Sequence, residues 1–192
     1  QEWTYSHHPH ITHLKGQYYA IWSNGRRDED APGQRILFST SADFSNWAAP
    51  EPLVDSMPGQ GTQELVLTAG GFHQREGLLV VYFGKYEADN SDTSLLAVTT
   101  TDGESWSPFL DLGIPICPNH GPQRTESGRL ILAGHTSFPY TDDPTGLSGW
   151  KMTGIYPREI ENYSDDPASI WRIREKAGWP ATLCEGSFYQ TP

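Results

Sequence analysis

Cysteine is scarce: the 192 residues contain two, Cys117 and Cys184. Two thiols make no disulfide scaffold and cannot supply a zinc-finger set. Whether these two pair, each standing just before a candidate inner strand, is left open, with two buried thiols the plainer expectation. Basic residues are scarce too. Lys and Arg number 13 against 24 Asp and Glu, a formal net charge of −11. That sign argues against nucleic acid as the main partner, because phosphate binding needs a basic surface. No apolar run approaches the ~18 residues of a membrane-spanning helix, so no membrane partner is expected. The opening Gln1-Glu2-Trp3 lacks a charged-then-apolar leader, and the expectation is that any targeting peptide has been removed. A sequon at Asn162-Tyr163-Ser164 fits a secreted protein.

Turn formers and aromatics are abundant: 19 Gly, 15 Pro and 12% aromatic residues. Long helices tolerate neither Gly nor Pro, so an all-β, turn-rich chain is expected. Three apolar runs each follow a turn segment: Tyr18-Tyr19-Ala20-Ile21-Trp22, Leu78-Leu79-Val80-Val81-Tyr82-Phe83 and Arg129-Leu130-Ile131-Leu132-Ala133. They read as strands. Each is followed by another: Arg35-Ile36-Leu37-Phe38-Ser39, Ser94-Leu95-Leu96-Ala97-Val98 and Trp150-Lys151-Met152-Thr153-Gly154-Ile155.

The first two of these lead into one phrase. Ser41-Ala42-Asp43-Phe44-Ser45-Asn46-Trp47 and Thr100-Thr101-Asp102-Gly103-Glu104-Ser105-Trp106 share the form Ser/Thr-x-Asp-x-x-x-Trp, with the Asp residues 59 apart. An Asp in a tight turn accepts backbone N–H bonds and the Trp covers the hairpin end, so both motifs read as structural. They resemble the Asp-box of sialidase-type β-propellers, with one residue fewer between Asp and Trp. A repeat of 50–60 residues with four strands suits a propeller blade. The expected fold is therefore an all-β propeller of antiparallel four-stranded blades at 5–55, 60–112 and 116–172, with a fourth starting at 184. Three blades and a stub leave open edges, so the remaining blades, on a second chain or a C-terminal part, are expected partners.

In a propeller the first strand of each blade lines the axis. The candidates are 7–14, 62–68, 119–125 and 185–190, and they are polar: His7, His8, His10, His13, Gln63, Glu64, Asn119, His120, Gln123, Arg124, Glu185, Ser187 and Tyr189. A structural core would not choose these residues, and a polar axis suits a binding site. In His7-His8-Pro9-His10, alternation places His8 and His10 on one face. Zinc is one reading, substrate contact or packing the other, and the spacing matches no standard zinc motif. The turn Asn24-Gly25-Arg26-Arg27-Asp28-Glu29-Asp30 carries guanidinium forks suited to a sugar carboxylate. Its three acids could hold calcium, although no EF-hand pattern is present; as a plainer alternative the loop neutralises itself. A hairpin around Glu126-Ser127-Gly128 brings His120 and His135 near one another.

His and Tyr suit proton abstraction beside a carboxylate, as at C5 of a uronic acid, with Tyr donating to the leaving oxygen. The expected reaction is β-elimination. Hydrolysis is the alternative, with Glu64 and Glu185 as inner-strand carboxylates. A non-catalytic sugar-binding propeller is a third.

Tyr5-Ser6-His7-His8-Pro9, Trp22 to Glu29, Asn119-His120-Gly121-Pro122, Ala133-Gly134-His135 and Glu185-Gly186-Ser187-Phe188-Tyr189 resemble a family. It is the seven-bladed propeller enzymes acting on rhamnose–glucuronate linkages: ulvan lyases, L-rhamnosyl-α-1,4-D-glucuronate lyases and related rhamnosidases. The resemblance runs along the whole chain and covers about half of such a protein. It implies a secreted carbohydrate-active enzyme for an anionic oligo- or polysaccharide, with His120, His135 and Tyr189 catalytic and an arginine beyond Pro192. It implies substrate contacts from the inner strands and the arginine loop, for which His7, His8, Asn24, Arg26, Arg27, Glu64, Asn119, Arg124 and Glu185 are the candidates. Related glycosidases use a histidine at the other mouth, where His7 or His8 would lie. Some members carry calcium or zinc; no ligand set follows here.

Overall fold

The computed structural model describes residues 3–61, 63–134 and 137–153. Strands β1 (Tyr5–Leu14), β2 (Gln17–Gly25), β3 (Arg35–Ser41) and β4 (Glu51–Val54) form one antiparallel meander. Strands β5 (Val66–Arg75), β6 (Leu78–Tyr86), β7 (Ser94–Thr100) and β8 (Leu110–Asp111) form a second. A third, smaller sheet holds β9 (Gln123–Arg124), β10 (Leu130–Ile131) and β11 (Tyr140–Thr141). Among the described residues there is no helix. Three sequential meanders packed face to face are the blades of a partial β-propeller.

The middle blade explains the longest apolar run. β6 alternates, and both of its faces are covered. Val81 and Phe83 pack with Ile21, Ile36, Leu67, Leu96 and Val98 between the first and second blades. Val80 and Tyr82 pack with Leu95, Ile114, Ile116 and Leu132 between the second and third. Every one of these side chains is at most 5% exposed.

Three strand expectations shift: of the expected inner strand at 119–125, only Gln123–Arg124 is strand. The second inner strand starts at Val66, not at 62, with Glu64 held by an isolated bridge to Pro58. In the third blade, Tyr140–Thr141 takes the third position, and Lys151 bridges back to Tyr140 as its outer neighbour. The apolar Trp150 and Met152 had suggested a strand; both pack into the core beside the second blade instead.

The hairpin turns and the Asp turns share one end. Asp43 Oδ1 accepts the N–H groups of Ser45 (2.9 Å) and Asn46 (2.7 Å). Asp102 Oδ1 accepts those of Glu104 (2.9 Å) and Ser105 (2.8 Å). A third such turn escaped the sequence pattern. Asp143 Oδ1 accepts the Thr145 N–H at 2.9 Å, while Trp150 Nε1–H donates to the Gly146 carbonyl as Trp47 does to Phe44. Seven positions separate Asp143 from Trp150 where four separate Asp43 from Trp47, which hid the motif.

Candidate functional site

The opposite end of the blades gathers the start of β1, the end of β2, the loop leading to β3, and the segment entering β5. Its shape begins with a break in β1. The β1–β2 register shifts between His7 and His10, and His8 sits in the left-handed region at φ 54°. A regular strand would send His7 and His8 to opposite faces. The bulge turns them the same way, with rings stacked at 3.8 Å. The expected pairing of His8 with His10 on one face is replaced by His7 with His8.

Glu29 reaches back from the β2–β3 loop. Its Oε1 lies 3.1 Å from His7 Nδ1 and 3.2 Å from His8 Nε2. The Tyr5 hydroxyl is 2.9 Å from His7 Nδ1. Burial, then the charges of Glu29, Asp30 and Asp28, raise the Tyr5 pKa above its usual value. His8 Nδ1 faces Ser23 Oγ at 3.3 Å; that buried oxygen also accepts the Ala69 N–H at 2.9 Å, tying the first two blades together. Asn24 is buried and spent on structure: its amide donates to the Tyr5 carbonyl, and its oxygen accepts from Arg35 Nε.

Arg26 and Glu64 meet across blades in a two-point fork, at 2.6 and 3.3 Å. Arg26 and Arg35 both lie over the Trp3 ring, at 5.0 and 3.7 Å from its centroid. Arg27 and Asp28 are exposed on the same loop. Asp30 accepts a hydrogen bond from the Tyr86 hydroxyl. The three loop acids therefore do not converge on one another: among the described residues, His7, His8 and Glu29 are the set of metal-ligating side chains that converges, within 4.8 Å.

Further along the axis the second and third blades touch backbone to backbone. Gly71, at φ 96°, leaves room for Gly121, and a Cβ on either would strike the other segment. This close approach holds His120. Its Nδ1 bonds the Gly121 carbonyl oxygen at 2.9 Å, and its Nε2 is buried without a partner. His10 Nε2 is likewise buried and unpaired. Burial lowers the His10 pKa; a hydrogen bond with the Ala69 backbone opposes this, and the nearby imidazoles of His8 and His120 add to the lowering. Asn119 donates its backbone N–H to Ala133 O at 3.4 Å. Arg124 is placed elsewhere, near the turn end beside His73, Gln74 and Glu76. His135, Tyr189, Glu185 and Cys184 lie outside the described residues.

The grouping of Tyr5, His7, His8 and Glu29 was not legible as one site. Glu29 is 22 positions from His7, and only the β1–β2 register and the returning loop close that gap. The buried Nε2 of His10 left its only trace in the polar character of β1.

A family described as "Beta-prop_BT_1020-like, N-terminal beta propeller" matches residues 1–88. No curated protein matches the chain in sequence. Solved structures with a similar fold include a Trypanosoma rangeli sialidase in complex with sialic acid, 15% identical, TM-score 0.56, covering 77% of this chain and 30% of that one. Another is Zg3597, a family 117 glycoside hydrolase produced by Zobellia galactanivorans, 15% identical, TM-score 0.55, covering 79% and 56% respectively. The chain thus spans well under two thirds of either neighbour. At these identities the likeness establishes the propeller fold.

Proposed function

We propose that this chain forms blades of a secreted carbohydrate-active enzyme that cleaves a glycosidic bond next to an acidic sugar. The observation that carries the reading is the buried, unpartnered Nε2 of His120, held at the axis by the glycine contact between blades. A buried polar atom without a partner suits a ligand that has yet to arrive. Its neighbour His10 is disfavoured as a cation by burial.

The finer reading is β-elimination at a rhamnosyl-(1,4)-glucuronate linkage. His120, with His135, would take up the C5 proton of the uronate, and Tyr189 would protonate the leaving 4-oxygen. Arg27, exposed on the loop after β2, is the candidate cation for the carboxylate, since Arg26 is engaged by Glu64. Three of the mouth carboxylates are engaged, Glu64 on Arg26, Glu29 on the two histidines and Asp30 on Tyr86, which leaves Asp28 as the exposed acid of the loop and favours elimination over a pair of flanking carboxylates. Common hydrolysis needs two available carboxylates flanking the bond. The hydrolytic reading, as an α-L-rhamnosidase or a sialidase-like enzyme, is favoured by the sialidase and the glycoside hydrolase among the structural neighbours.

The test uses the protein carrying its complete ring, incubated with a rhamnosyl-glucuronate oligosaccharide. Elimination produces an unsaturated uronate with new ultraviolet absorption; hydrolysis produces a new reducing end without it. His120→Ala is expected to lower turnover by about 10²–10⁴-fold with the fold retained. Full turnover in that variant would remove His120 from the mechanism. Bound sugar with no product on long incubation would leave a binding propeller.

A further inference from the structure

We infer that Tyr5, His7, His8 and Glu29 form a zinc site at the mouth of the first blade, with two imidazoles and one carboxylate as ligands. This does not depend on the glycan reading.

The donor atoms already face a common point. Both His7 Nδ1 and His8 Nε2 lie just over 3 Å from the same Glu29 oxygen, and the three donors fall within 4.8 Å of one another. Ligands around zinc sit ~2.0–2.2 Å from the ion, so small side-chain rotations close the set. The backbone is shaped for it: a left-handed, non-glycine conformation at His8 is uncommon, and here it is what brings two consecutive histidines to one side.

The outer support has the right chemistry as well. For Nε2 to ligate, the His8 proton must sit on Nδ1, and Nδ1 faces Ser23 Oγ. A hydroxyl oxygen has two lone pairs, so Ser23 can accept both the Ala69 N–H and the His8 Nδ1–H. A second partner that holds the ring and its tautomer is the usual companion of a metal-bound histidine. Asp28 and Asp30 add negative potential around the loop, and one of the two loop arginines, Arg26, is turned to Glu64. Two imidazoles favour zinc over calcium, which prefers an all-oxygen shell. Three protein ligands leave a fourth position, beside the Tyr5 hydroxyl, for water or a substrate oxygen.

The test is calorimetric titration of the chelator-treated full chain with Zn²⁺, followed by Co²⁺ as a visible spectroscopic probe. The expected result is one equivalent bound, with a tetrahedral Co²⁺ spectrum. Glu29→Gln and His8→Gln should each weaken binding by tenfold or more, while His13→Gln, an exposed histidine further along β1, should not. Glu29 is 45% exposed, so Glu29→Gln decides if His8→Gln fails to fold. No stoichiometric uptake, unchanged affinity in Glu29→Gln, equal loss in His13→Gln, or displacement by equimolar Ca²⁺ would each overturn the site.

Discussion

Single carboxylates hold the closed ends of the blades. Asp102 takes two backbone N–H bonds and the Thr100 hydroxyl, and these bonds, led by the one from Ser105, hold its pKa at about 2 against an ordinary 3.8. Asp43 is held low in the same way, chiefly by the Asn46 N–H. A carboxyl depressed in the folded state stabilises the fold above its unfolded pKa, and that contribution disappears as pH falls through the folded value. Asp102→Ala should therefore melt a few degrees below the parent near neutral pH. The gap should narrow as pH falls from 3.8 to about 2, measured by thermal melts across an acid series. A gap independent of pH would mean that the turn, not the charge, sets the effect.

Strands show their role through which faces they cover. β6 is apolar on both faces because it is the second strand of a blade sandwiched between two others. A Phe83→Ala substitution removes a fully buried ring and should cost about 3–5 kcal/mol in denaturant unfolding. Between the loop after β2 and the segment before β5, the Arg26–Glu64 fork is 28% and 36% exposed. A double-mutant cycle on that pair should return a coupling of only about 0.5–1 kcal/mol. The fork also ties the loop carrying Arg27 and Glu29 to the segment before β5, so loss of Glu64 should weaken the zinc uptake proposed at the mouth.

Across the whole molecule, the blades are tied to one another by specific contacts. Ser23 of the first blade accepts a bond from Ala69 of the second, and Gly71 of the second meets Gly121 of the third. Gly121→Ala would push a methyl group into the Phe72 backbone, so the segment carrying His120 must shift. Both turnover and the thermal midpoint are expected to fall, as measured by assay of the complete ring and by thermal melts. The chain covers 30% of the sialidase and 56% of the family 117 hydrolase with which it shares its fold, so the proposed activity is tested on a protein carrying the complete ring.

Periodicity settled the architecture. Gly-bounded apolar runs repeating at blade length, and two Asp–Trp phrases 59 residues apart, depend on local rules of turn chemistry and strand pairing that need no tertiary context. His120 and Glu64 stood out in the sequence as polar residues on expected inner strands, but neither falls in a strand, since β5 starts at Val66 and β9 at Gln123. The third Asp turn was not legible, because an insertion of three residues leaves its hydrogen bonds intact while erasing its spacing. Nor was the mouth cluster, where a bulge at His8 overrides strand alternation and a loop returns Glu29 over 22 positions. Long-range convergence of that kind has no periodic signature, so it was decided only when the blades packed.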